Sequence, residues 1–221
     1  MMWQAVFLSL QVSAVATICA LPLAIWVAHG LARKQFRGHG LLNGLVHLPL
    51  VLPPVVTGYL LLIVFGKQGA VGGFLYDWFG ITLAFRWTGA ALAAAIMGFP
   101  LMVRAIRLGF EAVDAGLEDA ARTLGASRAR VFGTVTLPLV MPAILAGAVL
   151  GFAKALGEFG ATITFVAAIP GQTQTIPSAI YSLLQVPNQE SDVIVLVSIS
   201  VALAMGALVA SEWLARRMVA R

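Results

Sequence analysis

Apolar residues in this chain fall in long blocks rather than in alternating or heptad patterns, and short segments rich in Arg, Lys, Gly and Pro separate the blocks. Those over residues 5–32, 41–65, 88–106, 138–156 and 193–214 are each long enough, at about 20 residues per crossing, to span the hydrocarbon of a bilayer. Blocks of this length predict α-helices, because in lipid every backbone N–H and C=O must be satisfied inside the segment. The second block cannot be one straight helix. Pro49, Pro53 and Pro54 each lack an amide donor and clash one turn back, so a broken or kinked span is expected there. Pro100 lies within the third block, while Pro138 and Pro142 open the fourth, where a helix start tolerates proline. Between the fourth and fifth blocks, Ile176, Ala179, Ile180, Leu183 and Leu184 keep helical spacing. That stretch is too short and too polar to span, which predicts a helix at or dipping into the interface.

Composition turns these blocks into a fold class. The 221 residues are 60% apolar and 10% charged, against about 25% charged in ordinary globular domains. Disorder and most soluble enzymes are excluded, and residues 1–221 read as a single all-α integral membrane domain with five spans. The first block is not a signal peptide: no basic residue precedes it, it exceeds the usual core of about 7–15 residues, and Arg33, Lys34 and Arg37 close it. It is expected to be a retained helix. With the N-terminus outside, Arg33, Lys34, Arg37, Arg104, Arg107, Arg122, Arg128, Arg130, Arg216, Arg217 and Arg221 fall on the cytoplasmic side. Only Lys67 and Arg86 fall outside, and Lys154 sits in the fourth span. The excess of basic residues on one side predicts an N-out, C-in topology in the cytoplasmic membrane.

The net charge of +5 is dispersed between blocks, so no nucleic-acid face is indicated and lipid is the expected surrounding. Cys19 is the single cysteine, and His29, His39 and His47 are far apart, which leaves no disulfide framework or metal site. No phosphate-binding GxxxxGK[ST] loop, HExxH or GxSxG turn occurs. No internal repeat is visible, which disfavours an inverted-repeat secondary transporter.

The polar loop at 111–137 carries the most specific signal. Leu117, Ala120, Ala121 and Leu124 share one face of a predicted helix, Glu118, Asp119 and Arg122 take the other, and Gly125 can supply a left-handed end. A solvated connector would look the same by composition alone. The spacing, however, resembles the EAA motif of ABC importer permeases: GluAlaAla, three residues, Gly, nine residues, IlexLeuPro. Asp119, Ala120, Ala121, Gly125, Leu137 and Pro138 are in register, with Asp119 in place of Glu and Val135 in place of Ile. The resemblance implies a five-helix type I ABC importer permease core, in which a short helix around Glu118–Gly125 couples to a separate ATP-binding subunit. Small Ala120 and Ala121 would permit close approach, Asp119 or Glu118 would meet a basic group, and Arg122, Arg128 and Arg130 acidic ones. ATP and Mg2+ would then belong to the partner, and this chain would bind no cofactor and hydrolyse nothing itself.

Residues 47–61, 77–82, 99–107, 120–126 and 156–166 together resemble the permeases of molybdate ABC transporters, and GluPheGlyAla at 158–161 is similar to an element of sulfate permeases. That resemblance implies a homodimer of this chain, two ATP-binding subunits, an extracytoplasmic molybdate-binding protein, and transport by alternating access. Sulfate and tungstate are alternative cargoes, since all three are tetrahedral dianions.

At the outer end of the fourth span, Lys154 and Glu158 stand four residues apart, where a charge costs about 2.5–3.5 kcal/mol at mid-membrane depth. They can line an oxyanion path, or form an intrahelical pair that lets both sit near the interface. An intramembrane enzyme would need convergent polar groups in the spans, and only these two qualify. Thr57, Thr162 and Thr164 can offer hydroxyls to a path or bond their own helix carbonyls. Ala143, Gly147, Gly151 and Ala155 recur every fourth residue, suiting an internal helix contact or a dimer seam. Lys67, Gln68, Asp77, Arg86 and residues 172–175 lie in outer loops where a binding protein can dock, and Thr175 resembles a helix N-cap.

Overall fold

The computed structural model describes residues 2–34 and 36–219, without the side chains of residues 211 and 214–219. The side chains of Arg216 and Arg217, and the whole of Arg221, therefore lie outside the described residues. Among the described residues there is no strand. The helices are α1 (Met2–Arg33), α2 (His39–Val51), α3 (Pro54–Phe65), α4 (Ala70–Phe79), α5 (Trp87–Ala112), α6 (Ala115–Thr123), α7 (Arg128–Val131), α8 (Leu137–Leu156), α9 (Gly160–Val166), α10 (Ile176–Leu183) and α11 (Glu190–Val219). A π-helical turn, Phe132–Thr136, joins α7 to α8.

Four helical stretches are long and apolar enough to cross a membrane: Met2–Arg33, Trp87–Ala112, Arg128–Leu156 and Glu190–Ala210. The pair α2 and α3 makes a fifth if counted as one broken span, bent by 113°. Proline causes the break. Leu52, which precedes Pro53, is held extended at ψ 140, because the residue before a proline is kept out of the helical region. Pro54 then opens α3 at a position where its missing N–H would be unpaired in any case.

The fourth apolar stretch departs from the sequence-based expectation. Pro138 does not open the helix; helical geometry starts at Arg128 and passes through the π turn before reaching it. The proline ring clashes with the carbonyl one turn back, and widening that turn relieves the clash. In the widened turn, the Leu137 N–H bonds to the Phe132 carbonyl, five residues back. Helices α4 and α9 were likewise not anticipated, because each is too short to register as an apolar block.

The centre of the bundle is α5, packed between α1 and α8. Met102, Val103, Ile106 and Phe110 of α5 are buried against Ala24, Ala28 and Leu31 of α1 and Val140 and Ile144 of α8. Small residues set the α5–α8 distance. A Cβ on Gly151 would lie 2.6 Å from the Met102 side chain, and one on Gly147 would lie 2.9 Å from Ile106. The four-residue stripe on α8 is thus an internal contact and not a seam between copies. Helix α9 packs on α3 and α5, and α10 on α1 and α11. In contrast, the apolar residues of α11 over Glu190–Ala210 are almost all left unburied.

Candidate coupling site and polar cluster

Helix α6 is defined at both ends by local chemistry. Asp114 caps its start, accepting from the Gly116 N–H at 2.8 Å. Gly125, at φ +84, ends it, with Gly125 N–H donating to the Arg122 carbonyl (2.9 Å) and Ala126 N–H to that of Ala121 (3.1 Å). The helix is inverted relative to one lying on a soluble protein. Leu117 is 50% and Leu124 89% exposed, and Ala120 is exposed beside them, whereas Glu118 is only 8% exposed. A helix facing its own core would bury the leucines and expose the acid.

The buried carboxylate of Glu118 is fully partnered. Its Oε1 accepts from Arg33 at 3.1 Å and from the Thr136 hydroxyl at 2.8 Å; its Oε2 accepts from Arg122 at 3.4 Å. The other Arg122 nitrogen reaches Asp119 at 2.6 Å, and the Asp119 side chain remains 68% exposed. The choice the sequence left open between the two acids is thereby given a geometry: Asp119 faces out and Glu118 faces in. Arg33, Lys34, Arg122 and Arg128 line a cavity of about 490 Å³ with Glu118 and His29, so the pocket beneath α6 is strongly basic. Leu137 and Pro138 sit where the π turn runs into α8.

The second group of candidates lies at the other end of α8. Lys154 Nζ donates to Glu158 Oε2, and the Glu158 side chain is 1% exposed against 29% for Lys154. Glu158 Oε1 accepts from the Ala161 N–H at 3.0 Å, so the same carboxylate also caps α9. Thr162 donates to the carbonyls of Phe159 (2.9 Å) and Glu158 (3.3 Å), and Thr164 to that of Gly160 (2.9 Å). Both threonines are thus occupied by their own helix. Thr57 is different: it sits on α3, which packs on α9, and its buried hydroxyl has no partner among the described residues.

Residues 20–220 match the family model described as "Binding-protein-dependent transport system inner membrane component". The chain belongs to this family. It is 63% identical to the molybdenum transport system permease protein ModB of Escherichia coli (strain K12), over 97% of this chain and 93% of that one. To the protein of the same name from Haemophilus influenzae it is 56% identical, with the same coverage. The solved bacterial alginate ABC transporter, in complex with a periplasmic protein bound to an alginate pentasaccharide, superposes with a TM-score of 0.74 at 17% identity. That superposition covers 97% of this chain and 78% of the other, and identifies the fold as that of a type I ABC importer permease.

In this permease the outer candidates are partly brought together. Arg86 and Gln172 line one cavity of about 950 Å³ with Gln4, Gln11 and Trp3, whereas Lys67 sits over the Tyr76 ring at 4.1 Å. Thr175 occupies the N-cap position of α10 but makes no side-chain cap; the free Ile176 N–H donates to Ser9 Oγ of α1 at 2.7 Å. His39 and His47 bond to the Leu31 and Asn43 carbonyls, and His29 lies edge-on to Phe110 and Phe132. No cluster of metal-ligating side chains occurs among the described residues. Sequence reasoning missed Arg33 and Thr136, which lie 85 and 18 residues from Glu118. The one available signal was Arg33, the first basic residue after a long apolar block, which reads equally well as a membrane anchor.

Proposed function

We propose that this chain is the membrane subunit of an ATP-driven importer that carries molybdate across the cytoplasmic membrane. The observation that carries this reading is the 63% identity, over nearly the whole of both chains, to a molybdenum transport permease. The working unit is two copies of this chain, two ATP-binding subunits holding ATP and Mg2+, and an extracytoplasmic molybdate-binding protein, with the N-terminus outside and the C-terminus in the cytoplasm. This chain binds no cofactor of its own. The outward apolar face of α6 supports the ATPase contact: Leu117, Ala120 and Leu124 are exposed together, and exposed Asp119 and Arg122 flank them with charge. Such a small apolar patch with a polar rim is the anatomy of a protein interface. The bare apolar surface of α11 supports a second copy or lipid along that helix.

Transport follows as alternating access. ATP closes the two ATPases, the paired α6 helices approach, and the spans open outward to receive the anion from the docked binding protein. Hydrolysis reverses the movement and releases the anion inside. Lys154 is the cation offered to the dianion along the route. An arriving oxyanion competes with Glu158 for the ammonium, and Glu158 is not orphaned when the ammonium turns away, because its other oxygen keeps the Ala161 N–H. Thr57, with a hydroxyl still free to donate, and Thr162 lie beside that route.

Purified complex in proteoliposomes containing the binding protein is the test. Molybdate is expected to stimulate ATP hydrolysis and to accumulate; stimulation by sulfate alone would refute the cargo assignment. Failure of any ATPase to co-purify would refute the importer itself.

A further inference from the structure

We propose that Glu118 is the positioning residue that makes α6 and the bundle one rigid body, and not a docking contact for the ATPase. This rests on the role of α6 proposed above. The carboxylate joins α6 to two other elements of the cytoplasmic end at once, Arg33 at the end of α1 and Thr136 in the π turn that leads into α8, while also holding Arg122 within α6. Arg33 reaches further, donating to the carbonyl of Val113, the residue that ends α5 (3.3 Å). One acid thereby ties α6 to the ends of all three helices that form the packed centre.

Two observations assign the group to transmission. First, Glu118 is 8% exposed while its neighbour Asp119 stands open to any partner. A docking acid belongs on the exposed side, and a buried carboxylate is retained only where charged and hydroxyl donors meet both oxygens. Second, the residue facing it, Thr136, is itself 2% exposed and lies in a π turn, a helix defect that concentrates at functional positions. Apart from this carboxylate, α6 touches the bundle only weakly: its packing is against α7 and the π turn, and its leucines point away. Without the clasp, a push on the apolar face moves α6 alone.

The test is made on the complete complex in proteoliposomes, with Glu118→Gln, Arg33→Gln, the double substitution and Thr136→Val. Two quantities are read: ATPase co-purified per permease, and oxyanion taken up per ATP hydrolysed. Glu118→Gln is expected to retain the ATPase and to lower uptake per ATP at least fivefold. Thr136→Val, which keeps shape and loses one donor, is expected to lower it about threefold. The double substitution is expected to be no worse than the poorer single, because both remove the same link. A purely structural role would reduce the amount of complex and leave the ratio alone. An unchanged ratio in both Glu118→Gln and Thr136→Val overturns the proposal, as does loss of the ATPase from the Glu118→Gln complex, which would make Glu118 a docking group. Wild-type complex that transports no oxyanion would instead refute the function proposed above.

Discussion

Replacing Gly58 by Ala tests whether α3 and α9 are held at their minimum separation. Glycine inside a helix is worse than alanine by about 1 kcal/mol, so the substitution would stabilise α3 in isolation. The neighbourhood reverses the sign. A Cβ at this position would stand 2.5 Å from the Ala161 carbonyl oxygen and 2.9 Å from both Ala161 Cα and Thr164 Cβ. Two of those three atoms are backbone of α9, which cannot swing aside as a side-chain tip can, and α9 is pressed against α5 by fully buried Phe165 and Val166. Restoring ordinary contact needs α3 to retreat by about 1 Å. Overpacking of this kind costs about 1–3 kcal/mol. Taking about 3 for a backbone clash and subtracting about 1 for helix propensity leaves a net loss of about 2 kcal/mol.

For a chain of this size, each kcal/mol moves Tm by about 2–4 °C, so Gly58→Ala should melt roughly 4–8 °C below wild type. Gly44→Ala is the control: Gly44 lies inside α2 with nothing within 4 Å of its Cβ position, and its Tm should rise by about 2–4 °C. Thermal melting of the detergent-solubilised permease, followed by dye binding or by the fraction remaining monodisperse, reads both. A Gly58→Ala protein that melts at or above wild type while Gly44→Ala behaves as stated would refute the close packing of α3 on α9.

Three further outcomes are expected. Leu124→Asp should leave the permease's own melting within about 1 °C, since surface substitutions away from contacts are nearly neutral, and should cut ATPase co-purification at least tenfold, because Leu124 is 89% exposed on the outward face of α6. Ser9→Ala removes the acceptor of the buried Ile176 N–H; leaving that donor unpaired costs about 1–2 kcal/mol and should lower Tm by roughly 2–8 °C. Thr57→Val deletes a buried hydroxyl that has no partner among the described residues, so melting should hold or rise while initial uptake of molybdate falls severalfold; unchanged uptake would remove Thr57 from the route.

The sequence conveyed which segments avoid water, and little about which segments face each other. Hydrophobic blocks marked α1, α5, α8 and α11 because an apolar run long enough to span has few alternatives, and the prolines at 49, 53 and 54 marked a break because their chemistry is local. The helices α4 and α9 were invisible for the opposite reason: each is short, and its helicity depends on what packs beside it. The same limit applies at the candidate sites. Gly125 and the Lys154–Glu158 pair act within about one helical turn, so spacing along the chain revealed them. The bonds from Ser9 to Ile176, Arg33 to Glu118 and Thr136 to Glu118 join residues remote in sequence, and no periodicity encodes such a partner.

The amphipathic pattern over 115–124 makes the distinction concrete. Periodicity separates two faces of α6 and cannot say which of them turns inward, because a leucine face satisfies either a core or a partner protein. Resolving that choice takes three cations and one hydroxyl group that converge from other elements, together with Arg122 of α6 itself: with Arg33, Arg122 and Thr136 on its carboxylate and Lys34 and Arg128 lining the same cavity, the inner position is electrostatically prepared for an acid. Leucine there would leave those cations uncompensated, which is more costly than leaving Leu117 and Leu124 in water. The outward apolar face is therefore a consequence of the basic pocket, and whatever covers that face recovers the hydrophobic free energy that the isolated chain forgoes.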